Sequence, residues 1–283
     1  MKTTVYAMIF GLVGSFGLVT YYGIRHSRGT PVEITTPGRA VLEVPYRPQE
    51  IHLAGGVHLE PWQSLPAIDL ELMYQVTVLP WARSLVSPLT VQAFHNGRDI
   101  YFHLAWKDDS EDRRVGVQRF SDAAAIMFPL GDEVEPSTIM MGFMAQSNIW
   151  QWKASRDTEF WARTPPKSEA YADYHYPFEE EELFGVSREK VVSAVSELLA
   201  KRVGTVTPSD LQEVEGRGLW HDGVWHVVFR RAMDSADPQI APPLLAGTTR
   251  LVAFAVWNGH AGDRGGRKSI SEWVELRILP RSP

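Results

Sequence analysis

Between two apolar runs near the end of this 283-residue chain lie four glycines, Gly259, Gly262, Gly265 and Gly266, and three cations, Arg264, Arg267 and Lys268. Glycine serves where a backbone must adopt positive φ or let another group come close. A glycine- and cation-rich loop held between strands suits an anion or a cofactor, although a solvated hairpin loop has the same composition. The other residue types that could do chemistry form no constellation. The chain has no cysteine, which excludes disulfides, Cys-ligated zinc, iron–sulfur clusters and covalently attached haem. No G-x-S-x-G, H-E-x-x-H, P-loop or G-x-G-x-x-G occurs. His58 and Glu60 mimic half of a zinc-deaminase motif whose cysteines are missing. Of the nine histidines, His95, His103, His221 and His226 fall on or beside expected strands and read as structural. Asp108, Asp109, Glu111 and Asp112 form an acidic loop, solvated or able to hold a hard cation.

The elements around the loop read as strands. Leu251 to Trp257 is a nearly unbroken apolar and β-branched run, and Glu272 to Leu279 returns on the far side. Leu89–His95 and Asp99–Trp106 flank Asn96-Gly97, and Trp220-His221 and Val224–Phe229 flank Asp222-Gly223. Such dipeptides between alternating runs are strong hairpin signals, because a type I′ turn needs positive φ at both central residues. Further strands are expected at Glu71–Leu79, Ala123–Phe128 (ended by Pro129), Ile139–Phe143 and Asn148–Lys153. The fold class expected is all-β, an antiparallel β-sandwich resembling a carbohydrate-binding module. Residues 155–215 read as an insertion. Within it, Val191, Val195, Leu198, Leu199 and Val203 recur at helical spacing, which predicts a helix from Ser187 to Arg202, stopped by Gly204. The run Glu179–Glu182 reads as a solvated face or as a docking surface for a basic partner.

Residues 1–28 are expected to be a membrane anchor or uncleaved signal, since Val5 to Ile24 is uncharged, mostly apolar and about 20 residues long, the length a helix needs to cross a bilayer. Tyr21 and Tyr22 near its end, with Arg25 just beyond, look like an interfacial anchor. Residues 29–68, with Pro31, Pro37, Pro45, Pro48, Pro61 and Pro66, read as a tether or a strap over the domain surface, with Trp62 as its anchor on a sheet. Residues 69–283 form the globular domain. The net charge of −6 gives a nucleic-acid partner no electrostatic support.

Several blocks carry a resemblance. The stretch Ala255–Trp273, with its GRKS core, is one. Asp122–Pro129 followed by Met140-Met141-Gly142 and Asn148–Ala154 is a second, and Gly223–Arg231 is a third. Together with the hairpin at 89–106, and in their order along the chain, they resemble the haem b-binding γ subunits of the molybdenum enzymes typified by ethylbenzene dehydrogenase, dimethylsulfide dehydrogenase, selenate and chlorate reductases and nitrite oxidoreductases. The similarity covers about residues 69–154 and 216–279.

The resemblance implies one non-covalent haem b with a lysine and a methionine as axial ligands. Lys268 falls on the lysine of the motif and would bind as the neutral amine. Met141, of the Met-Gly pair, is the first choice for the thioether, with Met127 as the alternative; Met140 would face the other way in a regular strand. Arg264 and Arg267 are the nearest cations for haem propionates, and Asn148, Trp150, Trp152, Trp257 and Asn258 would line or support the pocket. The implied role is electron transfer without substrate chemistry, between an iron–sulfur subunit beside a catalytic molybdenum subunit and an external redox partner, a cytochrome c or a quinone-linked protein. It also implies an exported globular domain, on the periplasmic side; the membrane anchor read from residues 5–24 departs from the soluble periplasmic members and suggests a complex tethered to the membrane. The alternative is an anchored carbohydrate-binding sandwich without haem, its ten tryptophans stacking on sugars; it would need neither Lys268 nor an opposed methionine.

Overall fold

The computed structural model describes residues 38–76, 79, 81–130, 146–162, 191–201 and 205–281. Within 39–281 these residues build two facing sheets. The larger runs β1 (Val41–Val44), β14 (Val274–Ile278), β12 (Thr249–Trp257), β6 (Ala123–Pro129), β7 (Ser147–Lys153), β8 (Val195–Ala200) and β9 (Val206–Pro208). Two short strands, β13 (Ser269–Ile270) and β3 (Met73–Tyr74), extend it beside β12. The smaller sheet runs β10 (Glu215–His221), β11 (Val224–Ala232), β5 (Asp99–Lys107), β4 (Leu89–His95) and β2 (Ile68–Leu70). Among these pairings only β1 with β14 is parallel; the rest are antiparallel, as the hairpin signals require. At the β10–β11 turn both Asp222 (φ 50°) and Gly223 (φ 76°) take positive φ.

Aromatic side chains fill the space between the sheets. Trp150 and Trp152 of β7 meet Phe102 of β5 and Trp225 of β11 at ring-centroid separations of 5.8 and 5.1 Å. Each large apolar side chain buried here contributes roughly 1.5–3 kcal/mol of transfer free energy. The sheets approach closely because β10 offers no side chain at Gly218, where an added Cβ would lie 2.2 Å from the Trp152 ring.

Three segments differ from the sequence expectation. The helix expected over Ser187–Arg202 is, in its described part, strand β8. Its register with β7 puts Val195 and Glu197 on the interior face opposite Trp152 and Trp150, and Leu198 on the exterior face opposite Ile149. A strand covered on both faces carries apolar residues on both, so its pattern matches a helix equally well. The strand expected at Glu71–Leu79 is, in its described part, only the two-residue β3, which pairs with β13; β2, just before it, pairs with β4 in the other sheet, so the chain changes sheets at Glu71-Leu72. Described residues of the 29–68 segment belong to the sandwich itself, through β1 and β2. Between those strands two short 3-10 turns, Leu53–Gly55 and Glu60–Trp62, carry buried Trp62 onto the outer face of the smaller sheet, 5.4 Å from Phe94 and 4.9 Å from His103. The described helix α1 (Ala154–Trp161) continues directly from β7.

The expected strand at Ile139–Phe143, the Glu179–Glu182 run and the apolar segment 5–24 lie outside the described residues. Among the described residues no helix is long and apolar enough to cross a membrane.

Candidate functional site

The glycine-rich loop leaves β12 at Trp257 and closes on itself. Asn258 N–H donates to Asp263 Oδ2 (3.1 Å), Asp263 N–H donates back to the Asn258 carbonyl (3.1 Å), and Ala261 N–H donates to Asn258 Oδ1 (2.8 Å). Arg264 and Arg267 then pair through their backbones at 3.1 and 2.9 Å. Gly259 lies against another chain segment, with an added Cβ meeting the Phe120 carbonyl oxygen at 2.1 Å. Its N–H donates to Asp122 Oδ1 (2.8 Å). Asp122 Oδ2 accepts from Asp112 N–H (2.7 Å) and from the Trp225 indole (3.0 Å), so one carboxylate joins the loop, the entry to β6 and the smaller sheet. Burial, helped by nearby Asp108, raises the Asp122 carboxyl to about 7.

The strands around this loop have two different faces. On β6, Ala124, Ile126 and Phe128 enter the interior, while Ala123, Ala125 and Met127 face out; on β12, Val252, Phe254 and Val256 enter it, while Leu251, Ala253, Ala255 and Trp257 face out. The outward residues form a second apolar cluster with Ile270, Trp273, Met73 and Ile149. Its centre is a floor of four small side chains in register, Ala125 opposite Ala255, with Ala123 opposite Trp257 and Ala253 opposite Met127. All four alanines are buried. Alanine takes little space, and a row of them away from the main core makes an apolar bed that neighbouring side chains cover. Such a bed fits a flat apolar group.

Lys268 stands at one end of this bed. Ile270 of β13 pairs with Ala255, so two residues back Lys268 falls on the same face, opposite Trp257. Its Nζ is 4.7 Å from the Trp257 ring centroid, and the Trp257 indole N–H is held by the Gly265 carbonyl (2.9 Å). Burial lowers the Lys268 amine from 10.5 to about 8. Met127 stands at the other end, half-buried, on the same sheet face. It is four residues along β6 from the Lys268 row and two strands across, about 13 Å along the strands and about 10 Å across them by sheet spacings. The two side chains therefore flank the alanine bed rather than touching each other. Met141 and Met140 lie outside the described residues.

The remaining candidates divide. Trp257 and Lys268 are brought together at the bed. Asn258 and Arg267 build the loop: the Arg267 guanidinium donates to the Trp81 carbonyl (3.0 Å) and the Gly262 carbonyl (3.3 Å). Arg264 is exposed, lies 4.6 Å over the Phe120 ring and donates to the Gly262 carbonyl (3.1 Å). Trp150, Trp152 and Asn148 point into the sandwich, on the opposite side of β7 from the bed. Trp150 donates to Asn148 Oδ1 (2.7 Å) and Asn148 donates to Glu197 Oε1 (3.0 Å) and the Ile240 carbonyl (2.9 Å). These three are core side chains, and beneath a site on the outer face they would support the sheet rather than line the site. Sequence reasoning missed the alanines themselves. The signal was the alternation of small and large residues in Ala123–Phe128 and Val252–Trp257. It also missed Asp263, whose buried carboxyl is raised to about 6 by burial against the pull of Arg267 and Arg264.

Ethylbenzene dehydrogenase is the family that matches, over residues 60–269. A protein of Haloferax mediterranei, named for a respiratory nitrate reductase haem subunit, is 31% identical over 78% of this chain and 67% of its own. The chlorate reductase γ subunit of Ideonella dechloratans is 24% identical over 81% of this chain and 83% of its own. The dimethylsulfide dehydrogenase γ subunit of Rhodovulum sulfidophilum is 28% identical over 68% of this chain and 61% of its own. Among solved structures, a family 9 carbohydrate-binding module from Caldicellulosiruptor kristjanssonii in complex with glucose is similar at a TM-score of 0.44 and 10% identity, over 85% of this chain and 96% of that one. The matched region spans β2 to the first residue of β13 and takes in both ends of the alanine bed, and the chain belongs to the ethylbenzene dehydrogenase family.

Proposed function

We propose that this chain is the haem b-binding γ subunit of a molybdenum oxidoreductase complex, of the nitrite oxidoreductase or nitrate reductase type. It carries electrons and does no substrate chemistry. The observation that carries this reading is the placement of Lys268: a partly buried amine with a lowered pKa, at the edge of an apolar bed that also bears a methionine. The haem, when bound, supplies reversible one-electron chemistry. Ala123, Ala125, Ala253 and Ala255 would offer it apolar contact beside Trp257 and Ile270, and Arg264, exposed at the rim, would offer a propionate a cation. Lys268 supplies the amine donor. An amine with a pKa near 8 loses its proton to water more readily than an ordinary lysine, which frees its lone pair for a Lewis acid. Met127 supplies the thioether in this reading, with Met141 as the other candidate.

Electrons pass between an iron–sulfur subunit, which sits beside the catalytic molybdenum subunit, and an external partner such as a cytochrome c or a quinone-linked protein. Residues 5–24 anchor the chain in the membrane, and residues 39–281 work on the periplasmic side. The disposition of the tryptophans speaks against a sugar-binding platform: of the ten, only Trp81 is exposed.

The test is haem titration of the full-length chain in detergent. One haem per chain with a sharp reduced α band supports the reading. A folded chain that takes up no haem sinks it.

A further inference from the structure

We propose that the rim of the Lys268 loop is a docking surface for a soluble one-electron carrier protein whose contact patch is apolar and ringed by carboxylates. This rests on the electron-transfer reading above. Two loops flank the bed's lysine end and put apolar side chains into solvent. One carries Val76, Trp81 and Leu85, at 41%, 56% and 38% exposure. It is fixed to the site by the Arg267 guanidinium on the Trp81 carbonyl (3.0 Å) and by Val86 N–H on Ser269 Oγ (3.0 Å). The other is the turn Gly116–Arg119, closed by mutual backbone bonds of 3.0 Å, with Gln118 at φ 60° and Val117 at 96% exposure. Arg264 joins the two: its guanidinium lies over Phe120, next to the turn, and its backbone pairs with Arg267.

The rim presents three exposed arginines, and Asp263 within the loop is buried. The three are Arg83, Arg119 and Arg264; burial, with Arg264 and Arg83 nearby and against the pull of Asp263, lowers the Arg267 guanidinium in pKa. The whole chain carries −6, so this rim opposes the global charge. Local clusters of that kind steer an oppositely charged partner and fix its orientation. The mixture of a few apolar tips with arginines matches small transient interfaces, whereas permanent subunit interfaces are larger and more apolar. A lipid surface is the less favoured occupant: the Trp81 indole N–H is already given to the Val76 carbonyl (3.2 Å), so it is not offered to headgroups.

The experiment measures binding by surface plasmon resonance on the immobilised full-length chain. The probes are an acidic [2Fe–2S] ferredoxin and a basic mitochondrial cytochrome c, in 20 and 300 mM salt. The proposal expects ferredoxin to bind, to weaken at least tenfold in high salt, and to weaken about tenfold in Arg83→Glu/Arg119→Glu and several-fold in Trp81→Ser. Arg98→Glu, on the distant β4–β5 turn, should leave it unchanged. Absence of ferredoxin binding, indifference to the paired variant, or preferential binding of cytochrome c to this rim overturns it. So does Trp81- and Arg83-dependent sedimentation with anionic phosphatidylglycerol vesicles, which would make the rim a membrane contact. Haem content is read separately from the α band, so loss of the haem reading and loss of this one give different results.

Discussion

Gly259 N–H and Asp122 Oδ1 are 2.8 Å apart, and through that bond the loop carrying Lys268 is fastened to the start of β6, the strand that carries Met127. The same carboxylate holds the Trp225 indole and the Asp112 N–H. The two proposed ligands therefore sit on one rigid frame, which is what preorganised ligation needs.

Gly259→Ala should damage the site more than an ordinary loop substitution. Its Cβ would strike the Phe120 carbonyl at 2.1 Å, and backbone cannot rotate away as a side chain can. A loss of about 1–3 kcal/mol in urea unfolding is expected, with haem affinity falling further than stability. An unchanged unfolding midpoint would show that the loop gives way freely.

Asp122 titrates near 7 in the folded chain against an ordinary 3.8. The folded state thus holds more protons than the unfolded state between those values, and stability from this group falls as pH rises through the window. Comparing wild type with Asp122→Ala, the variant should lose most below about pH 4 and progressively less toward pH 7. Each orphaned donor left behind costs about 1–3 kcal/mol. A stability difference that grows with pH would reverse the assignment.

Lys268 carries the opposite sign of shift for a base. Its amine titrates near 8 folded and at 10.5 ordinarily, so the folded haem-free chain binds fewer protons in between and gains stability as pH rises from 8 toward 10.5. Lys268→Met should be more stable than wild type at pH 7 by up to about 3 kcal/mol, with the advantage shrinking above pH 8. Equal midpoints at both pH values would mean that the amine is solvated.

The alanine bed gives a test that spares the ligands. Ala125→Leu fills it from the exterior face, and Ala124, Ile126 and Phe128 on the interior face are untouched. The chain should fold, at a cost of about 1–3 kcal/mol, yet fail to retain haem. Normal haem content in this variant would place the cofactor elsewhere.

Much of this was legible in residue order, because hairpins and alternation are local signals. Asp222-Gly223, Leu251–Trp257 and Asn148–Lys153 each declared a strand or turn from neighbours alone. Three things were not local. Val195–Ala200 reads equally as helix or strand until β7 is known to lie beside it. Which face of β7 carries Trp150 and Trp152 depends on the sheet opposite, and that decided they are core rather than lining. The bed is visible only when β6 and β12 are placed side by side, since Ala125 and Ala255 are 130 positions apart in the chain.

The central claim is that Lys268 and a methionine hold a haem across the outer face of the larger sheet. The most direct measurement is the low-temperature absorption and near-infrared magnetic circular dichroism of the haem-loaded full-length chain, beside Lys268→Ala, Met127→Ala and Met141→Ala. The account predicts a six-coordinate low-spin amine–thioether signature in wild type. Lys268→Ala should convert it to a high-spin or water-ligated form, and one methionine variant should abolish the thioether charge-transfer band. An unaltered low-spin spectrum in Lys268→Ala would contradict it.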